Sequence, residues 1–265
     1  MFDIGLENQV AIVTGGSSGI GLATVELLLS CGAKVAFCGR NPQRLQAAKE
    51  QLQAKYPQAQ CLAEVCDVLD AAQVNAFAHN SQAALGPASI LINNAGQGRM
   101  STFATTTDEA WTQELNLKFF SIIYPVRAFL PQLEQHEHAS IVCANSLLAA
   151  QPEPHMLATS AARAGIKNLV RSLATELAPK GIRVNGILIG LIESGQWRRR
   201  FAEREDQSQD WATWSNQLAG AKEIPLGRLG QPIEAARAIA FLASGLSSYT
   251  TGSHIDLSGG QCRAA

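Results

Sequence analysis

Charge of one sign is missing from this chain: 21 lysines and arginines face 22 aspartates and glutamates, a formal net charge of −1. So even a balance argues against nucleic acid or an acidic membrane as partner. No apolar run approaches the roughly 20 residues a bilayer crossing needs. The opening "MFDIGLENQVAIVTGG" enters a strand without a signal-peptide pattern. The six cysteines (31, 38, 61, 66, 143 and 262) form no C-x-x-C pair, and most sit in apolar runs. Reduced, buried thiols in a cytoplasmic protein are the expectation. The five histidines are scattered, so no metal site is expected. The three tyrosines (56, 124 and 249) all fall outside residues 155–177.

What is present is alternation. Short apolar runs recur at "VAIVT" (10–14), "KVAFC" (34–38), "CLAEV" (61–65), "SILIN" (89–93), "SIVCA" (140–144), "IRVNGILI" (182–189) and "HIDL" (254–257). Consecutive rather than alternating apolar residues suit strands covered on both faces. Helical patterns lie between them over 20–31, 42–56, 71–85, 108–135, 155–178 and 231–244. In the first, Ile20, Ala23, Leu27, Leu28 and Cys31 form an apolar stripe closed by Gly32. The alternation predicts an α/β fold: a doubly wound parallel sheet with helices on both faces. The 265 residues suit one domain, and no linker or repeat divides them.

After the first strand comes "TGGSSGIG" (14–21). Gly15 allows a tight exit, while Gly19 and Gly21 let backbone approach a pyrophosphate at the N-terminus of the next helix. Three glycines alone are also compatible with a mere tight turn. The second strand ends in Gly39 and Arg40, where an acid would hold an unmodified ribose. A guanidinium without a carboxylate suits a 2′-phosphate, so NADP(H) is expected rather than NAD. The bland alternative is an exposed arginine at a helix start.

These motifs, with "CDV" (66–68), "NNAG" (93–96), "NLKFF" (116–120), "LATELAPKGIRVNGI" (173–187), "PLGRLGQP" (225–232) and "SSYTTGSHIDLSGG" (247–260), resemble the short-chain dehydrogenase/reductase family along nearly the whole chain. The resemblance implies a Rossmann-like sheet of about seven strands and a small-molecule carbonyl or alcohol substrate. It implies cofactor contacts from Gly15, Ser17, Ser18, Gly19, Ile20, Gly21 and Arg40, then from Asp67, Val68, Asn94, Ala95 and Gly96. Gly190, Ile192 and Ser194 would pass the nicotinamide carboxamide, although Ile189 replaces the proline usual before that glycine. A substrate lid is implied over about 191–225, and a homotetramer or homodimer through helices 108–135 and 155–178, whose Phe119, Phe120, Leu157 and Leu169 leave more than one apolar face.

The family's catalytic set is Asn, Ser and a Tyr with Lys four residues on. Asn116 and Ser146 match the first two, but Thr159 and Arg163 stand in the other places, with Arg163 also a cofactor contact. An aliphatic alcohol, like water, holds its proton far more tightly than a phenol, whose reference pKa is about 10. That gap is worth about 7–8 kcal/mol, more than an environment ordinarily supplies. Thr159 therefore cannot act as the acid, and Arg163 cannot shuttle a proton. Changing Thr159 to Tyr and Arg163 to Lys together is expected to return reduction.

His155 is the nearest alternative acid, or else a loop histidine. Ser146 also reads as a strand-end cap, and Asn116 as a helix amide. Trp211, Trp214 and Leu218 share a stripe, as do Trp197 and Phe201, fitting core packing or a substrate wall equally. Arg198–Arg200 reads as a solvated face answered by Glu203, Glu205 and Asp206, or else as an anion clamp. Three functions follow: an NADP(H)-dependent oxidoreductase with an atypical catalytic site, a non-catalytic NADP(H)-binding protein, and a lyase or isomerase.

Overall fold

Every residue of the first strand, β1 (Val10–Thr14), is buried, as a strand sandwiched between two helical layers must be. The computed structural model describes residues 4–263. Its other strands are β2 (Lys34–Gly39), β3 (Cys61–Val65), β4 (Ile90–Asn93), β5 (Ala139–Ser146), β6 (Ile182–Ile189) and β7 (His254–Leu257). They form one seven-stranded sheet in the order β3-β2-β1-β4-β5-β6-β7, and all pairs are parallel. The chain builds outward from β1 to β3, then returns to set β4 on the other side of β1. That reversal opens a crevice beyond the carboxyl ends of β1 and β4, where ligands of such sheets bind.

The helices are α1 (Gly19–Ser30), α2 (Pro42–Lys55), α3 (Ala71–Leu85), α4 (Asp108–Leu133), α5 (Leu157–Leu177), α6 (Gly195–Ala202), α7 (Trp211–Ala221) and α8 (Pro232–Ala243). Two cores follow from the period-2 alternation of the strands. Ile12 joins Phe77, Phe129, Ile166 and Val170, from α3, α4 and α5. Its neighbours Ala11 and Val13 face Leu28, Leu52 and Ile239, from α1, α2 and α8.

The expected elements are all present, with shifted edges. β5 runs on to Ser146, and α4 keeps Pro125 and Pro131 inside it. The buried face of α1 is Gly21, Thr24, Val25, Leu28 and Leu29. The expected stripe was phased one residue off, because apolar residues line α1 nearly all round and leave periodicity without a preferred side. Gly32 does close that helix, at φ +78°. No helix among the described residues is long and apolar enough to cross a membrane.

Candidate active site

The crevice begins with Gly15 at φ +68°, where an added Cβ would lie 2.9 Å from Ala95 Cα. At Gly21 a Cβ would meet the Gly15 carbonyl oxygen at 2.1 Å, so the helix can only sit this close without a side chain. Asn94 locks β4 to this turn, its Nδ2 donating to the carbonyls of Thr14 at 3.2 Å and Gly15 at 3.1 Å. Ser18 is the N-cap of α1 but makes no capping bond with its side chain. The first amides of the helix are therefore left for a ligand.

A cleft of about 490 Å³ runs from here across the sheet. Gly15, Ser17, Ser18, Ile20, Gly21, Arg40, Val68, Asn94, Ala95, Gly96, Ser146, Arg163, Gly190, Ile192 and Ser194 all line it. Gly19 opens α1 at φ +56° without lining the cleft. Asp67 is a correction: its carboxylate turns back to accept from the Leu69 amide at 3.0 Å, and Cys66 and Val68 form the wall instead. At the end of β2, a Cβ on Gly39 would lie 2.8 Å from Ser17 Oγ, so a side chain there would have to displace the Ser17 hydroxyl. Arg44, which the sequence reading missed, joins Arg40 on the lining. Asn41 places it, capping α2 by accepting from the Arg44 amide at 2.8 Å.

Without a proline before it, Gly190 is held by donating to the Leu257 carbonyl at 3.1 Å. The chain from Leu191 to Glu193 then zips onto Gly230. Ser194 caps α6, accepting from the Trp197 amide at 3.4 Å.

Around the expected catalytic set the structure departs from the family pattern. Ser146 ends β5 and faces the cleft, its Oγ accepting from the Leu148 amide at 3.3 Å. Asn116 is exposed on α4 and lines no cavity. Two residues are about 200° of helix, and the face turned inward carries Glu114 and Lys118, each 3% exposed. Lys118 Nζ donates to Glu114 Oε1 at 2.6 Å and to the Gln97 carbonyl at 2.7 Å.

Thr159, 1% exposed, lines no part of the cleft. Its hydroxyl accepts from the Arg99 amide at 3.2 Å and donates to the Glu114 carboxylate. The segment above it is pinned by Ser101, whose Oγ takes the Ala158 amide at 3.0 Å where α5 lacks a side-chain cap of its own.

Arg163 does face the cleft. Its Nη1 donates to the Ala144 carbonyl at 3.1 Å, while its buried Nε has no partner. Burial pushes the guanidinium down to about 10, with Glu114 opposing the shift, so it stays charged at neutral pH. His155 lies outside this cleft, in a second cavity, with Nε2 3.1 Å from Glu153.

The lid stripes pack on each other: Trp211 and Trp214 centroids are 5.5 Å apart, with Phe201 5.3 Å from Trp211. Trp197, 6.3 Å from Trp214, lines both cavities. The two readings of the stripes therefore meet in one cluster. The acids expected to answer Arg198–Arg200 do not; Arg198 Nε donates to Glu193 at 2.6 Å instead.

The inward face of α4 was legible in principle. Stepping back from buried Ile122 by four residues gives Lys118, then Glu114. No group of three or more metal-ligating side chains occurs among the described residues.

A doubly wound sheet with a glycine-gated crevice at its switch point defines a dinucleotide-binding architecture. The chain belongs to the short-chain dehydrogenase/reductase family: the short chain dehydrogenase pattern matches residues 9–205. It is 71% identical to a short chain oxidoreductase of Pseudomonas aeruginosa described as containing an atypical catalytic center, whose apo structure superposes with a TM-score of 0.97 over 98% of this chain and 100% of that one. The NADPH-bound structure of that oxidoreductase superposes at 0.95, with 70% identity over 98% of this chain and 99% of that one. L-Sorbose reductase from Gluconobacter frateurii, solved with NADPH and L-sorbose, is 30% identical with a TM-score of 0.93 and full coverage, 100% of both chains. Acetoacetyl-CoA reductase of Synechocystis is 32% identical over 98% of each chain.

Proposed function

We propose that the protein is an NADP(H)-dependent carbonyl reductase, or alcohol dehydrogenase in reverse, in which fixed positive charge replaces the missing phenol. The observation that carries this is the buried Arg163 guanidinium, facing the cleft beside Ser146 with an unpartnered Nε. NADPH, when bound, supplies the hydride.

The chain's own residues do the rest. Gly15, Ser17, Ser18, Ile20 and Gly21 bind the pyrophosphate, while Arg40 and Arg44 hold the 2′-phosphate. Asn94, Ala95 and Gly96 flank a ribose. Gly190, Ile192 and Ser194 take the carboxamide. Arg163 orients ribose hydroxyls and, with Ser146 Oγ, stabilises negative charge growing on the substrate oxygen. Thr159 spends its hydroxyl hydrogen bond on Glu114 and takes no part in the transfer; the alkoxide takes its proton from water.

Arg163→Met is expected to lower kcat/KM by about 10²–10³, the usual cost of one oxyanion donor. Thr159→Val is expected to leave it within a few-fold. The rate is expected to be flat from about pH 6 to 9, because the guanidinium keeps its charge below about 10. Steady-state kinetics over a carbonyl panel checks all three. NADPH binding without turnover on any carbonyl or alcohol supports the non-catalytic alternative, which the locked Thr159 hydroxyl favours.

NADPH is expected to bind at least about tenfold more tightly than NADH, and the preference to shrink in Arg40→Ala and vanish in Arg40→Ala/Arg44→Ala. Fluorescence titration measures this; equal dissociation constants in the wild type sink the assignment.

The proposed assembly is a homodimer or homotetramer through α4 and α5, in the cytoplasm, where six free thiols persist. Phe119 and Leu169 pack within the chain's own core, which leaves Leu115, 38% exposed, on the outer surface. Sedimentation at micromolar concentration checks it, and a monomer contradicts it.

A further inference from the structure

Resting on the reductase reading, we infer that the carbonyl substrate is an anion, an oxo-carboxylate whose charge sits at the far end of an apolar spacer. The second cavity, about 280 Å³, shares Ser146, Gly190 and Trp197 with the cofactor cleft, so it begins where the substrate oxygen must lie. Leu147, Leu148, Met156 and Leu191 supply apolar wall, which suits a methylene spacer.

The charges on the lining do not cancel. Glu153 answers both His155 Nε2 at 3.1 Å and Lys222 Nζ at 3.2 Å. Arg200 also lines the cavity and has no carboxylate partner among the described residues. Its guanidinium stands 4.7 Å from the Trp197 ring centroid. Two cations, Lys222 and Arg200, thus face one carboxylate on this lining.

Its neighbours are committed elsewhere: Arg198 to Glu193 at 2.6 Å, Arg204 to Gln207 Oε1 at 3.2 Å. Arg199 lines neither cavity. A guanidinium resting on an indole face keeps its planar edge open for bidentate bonding, which matches a carboxylate. A neutral ketone would fill the apolar wall and gain nothing from exposed Arg200, which an anion would engage.

The test uses the full-length protein saturated with NADP⁺, and calorimetric titration of levulinate, its two next longer homologous oxo acids, and the methyl ester of each. At least one acid is expected to bind about tenfold more tightly than its ester. Arg200→Gln should reduce that preference to within about twofold and leave ester binding unchanged, while Arg199→Gln keeps the preference. Esters binding as well as acids throughout overturn the inference, as does a preference that survives Arg200→Gln.

Turnover of the same ligands with NADPH separates the two readings. Anion-selective binding without reduction upholds the ligand class and removes only the reductase reading. Reduction with esters and acids equally good does the reverse.

Discussion

Lys118→Met alone is expected to destabilise the protein by about 3–5 kcal/mol, among the largest effects of any single substitution here. Glu114 lies 3% exposed, and its carboxylate depends on Lys118 Nζ at 2.6 Å and the Thr159 hydroxyl. Without the ammonium, a buried anion keeps one neutral donor and only the unbonded charge of nearby Arg163. Glu114→Leu with Lys118→Met removes both charges and is expected to cost far less than the sum of the single changes.

Glu114→Gln carries a pH signature. Burial already pushes the Lys118 ammonium down, Glu114 holds it up, and nearby Arg163 pushes it down further. Losing the carboxylate lowers it again. The folded state of that variant then binds fewer protons than the unfolded state, so its stability rises with pH through the folded value toward about 10.4. Denaturant unfolding of the wild type, Lys118→Met, Glu114→Leu, their double variant and Glu114→Gln from about pH 6 to 10 measures both effects. Strictly additive single and double changes would refute the picture of a coupled pair.

Restoring the family's usual residues at two positions is expected to fail. The sequence alone suggests that Thr159→Tyr with Arg163→Lys returns a working acid. The structure places Thr159 under the Arg99 backbone and against Glu114, not at a lid face with spare volume. A phenol forced into that space overpacks by about 1–3 kcal/mol, and Glu114 would hold its hydroxyl in a hydrogen bond away from the substrate. Adding Glu114→Ala and Lys118→Asn clears the carboxylate and returns an amide to the inward face of α4. The fourfold variant is expected to reduce simple ketones at least about 10²-fold faster than the double variant, the lower range for a positioned general acid. A gain in the double variant alone would show that the charged pair does not hold the site in its present form.

The strands, the glycine turn and the crevice were legible because each rests on local pattern: consecutive apolar residues, and glycines where a Cβ collides. What escaped depends on which way a side chain turns. Asn116 matches a motif, yet helix phase puts it outside and Lys118 inside. Asp67 spends its carboxylate on a turn two residues on. Arg198 pairs with Glu193 on the N-terminal side, because Glu203 and Glu205 lie beyond the end of α6. Ion pairs inside a protein follow space, and spacing along the chain only bounds them.

Trp197, Ser146, Gly190 and Gln196 belong to the walls of both cavities at once. A nucleotide in one therefore finishes part of the other's surface, and the two occupants are thermodynamically linked. Whatever factor the first gains for the second, the second returns to the first. Such a shared partition favours a compulsory order of addition, nucleotide before carbonyl compound, with the alcohol leaving before the oxidised nucleotide. If the aromatic cluster behind Trp197 must shift for the last departure, its packing would cap turnover.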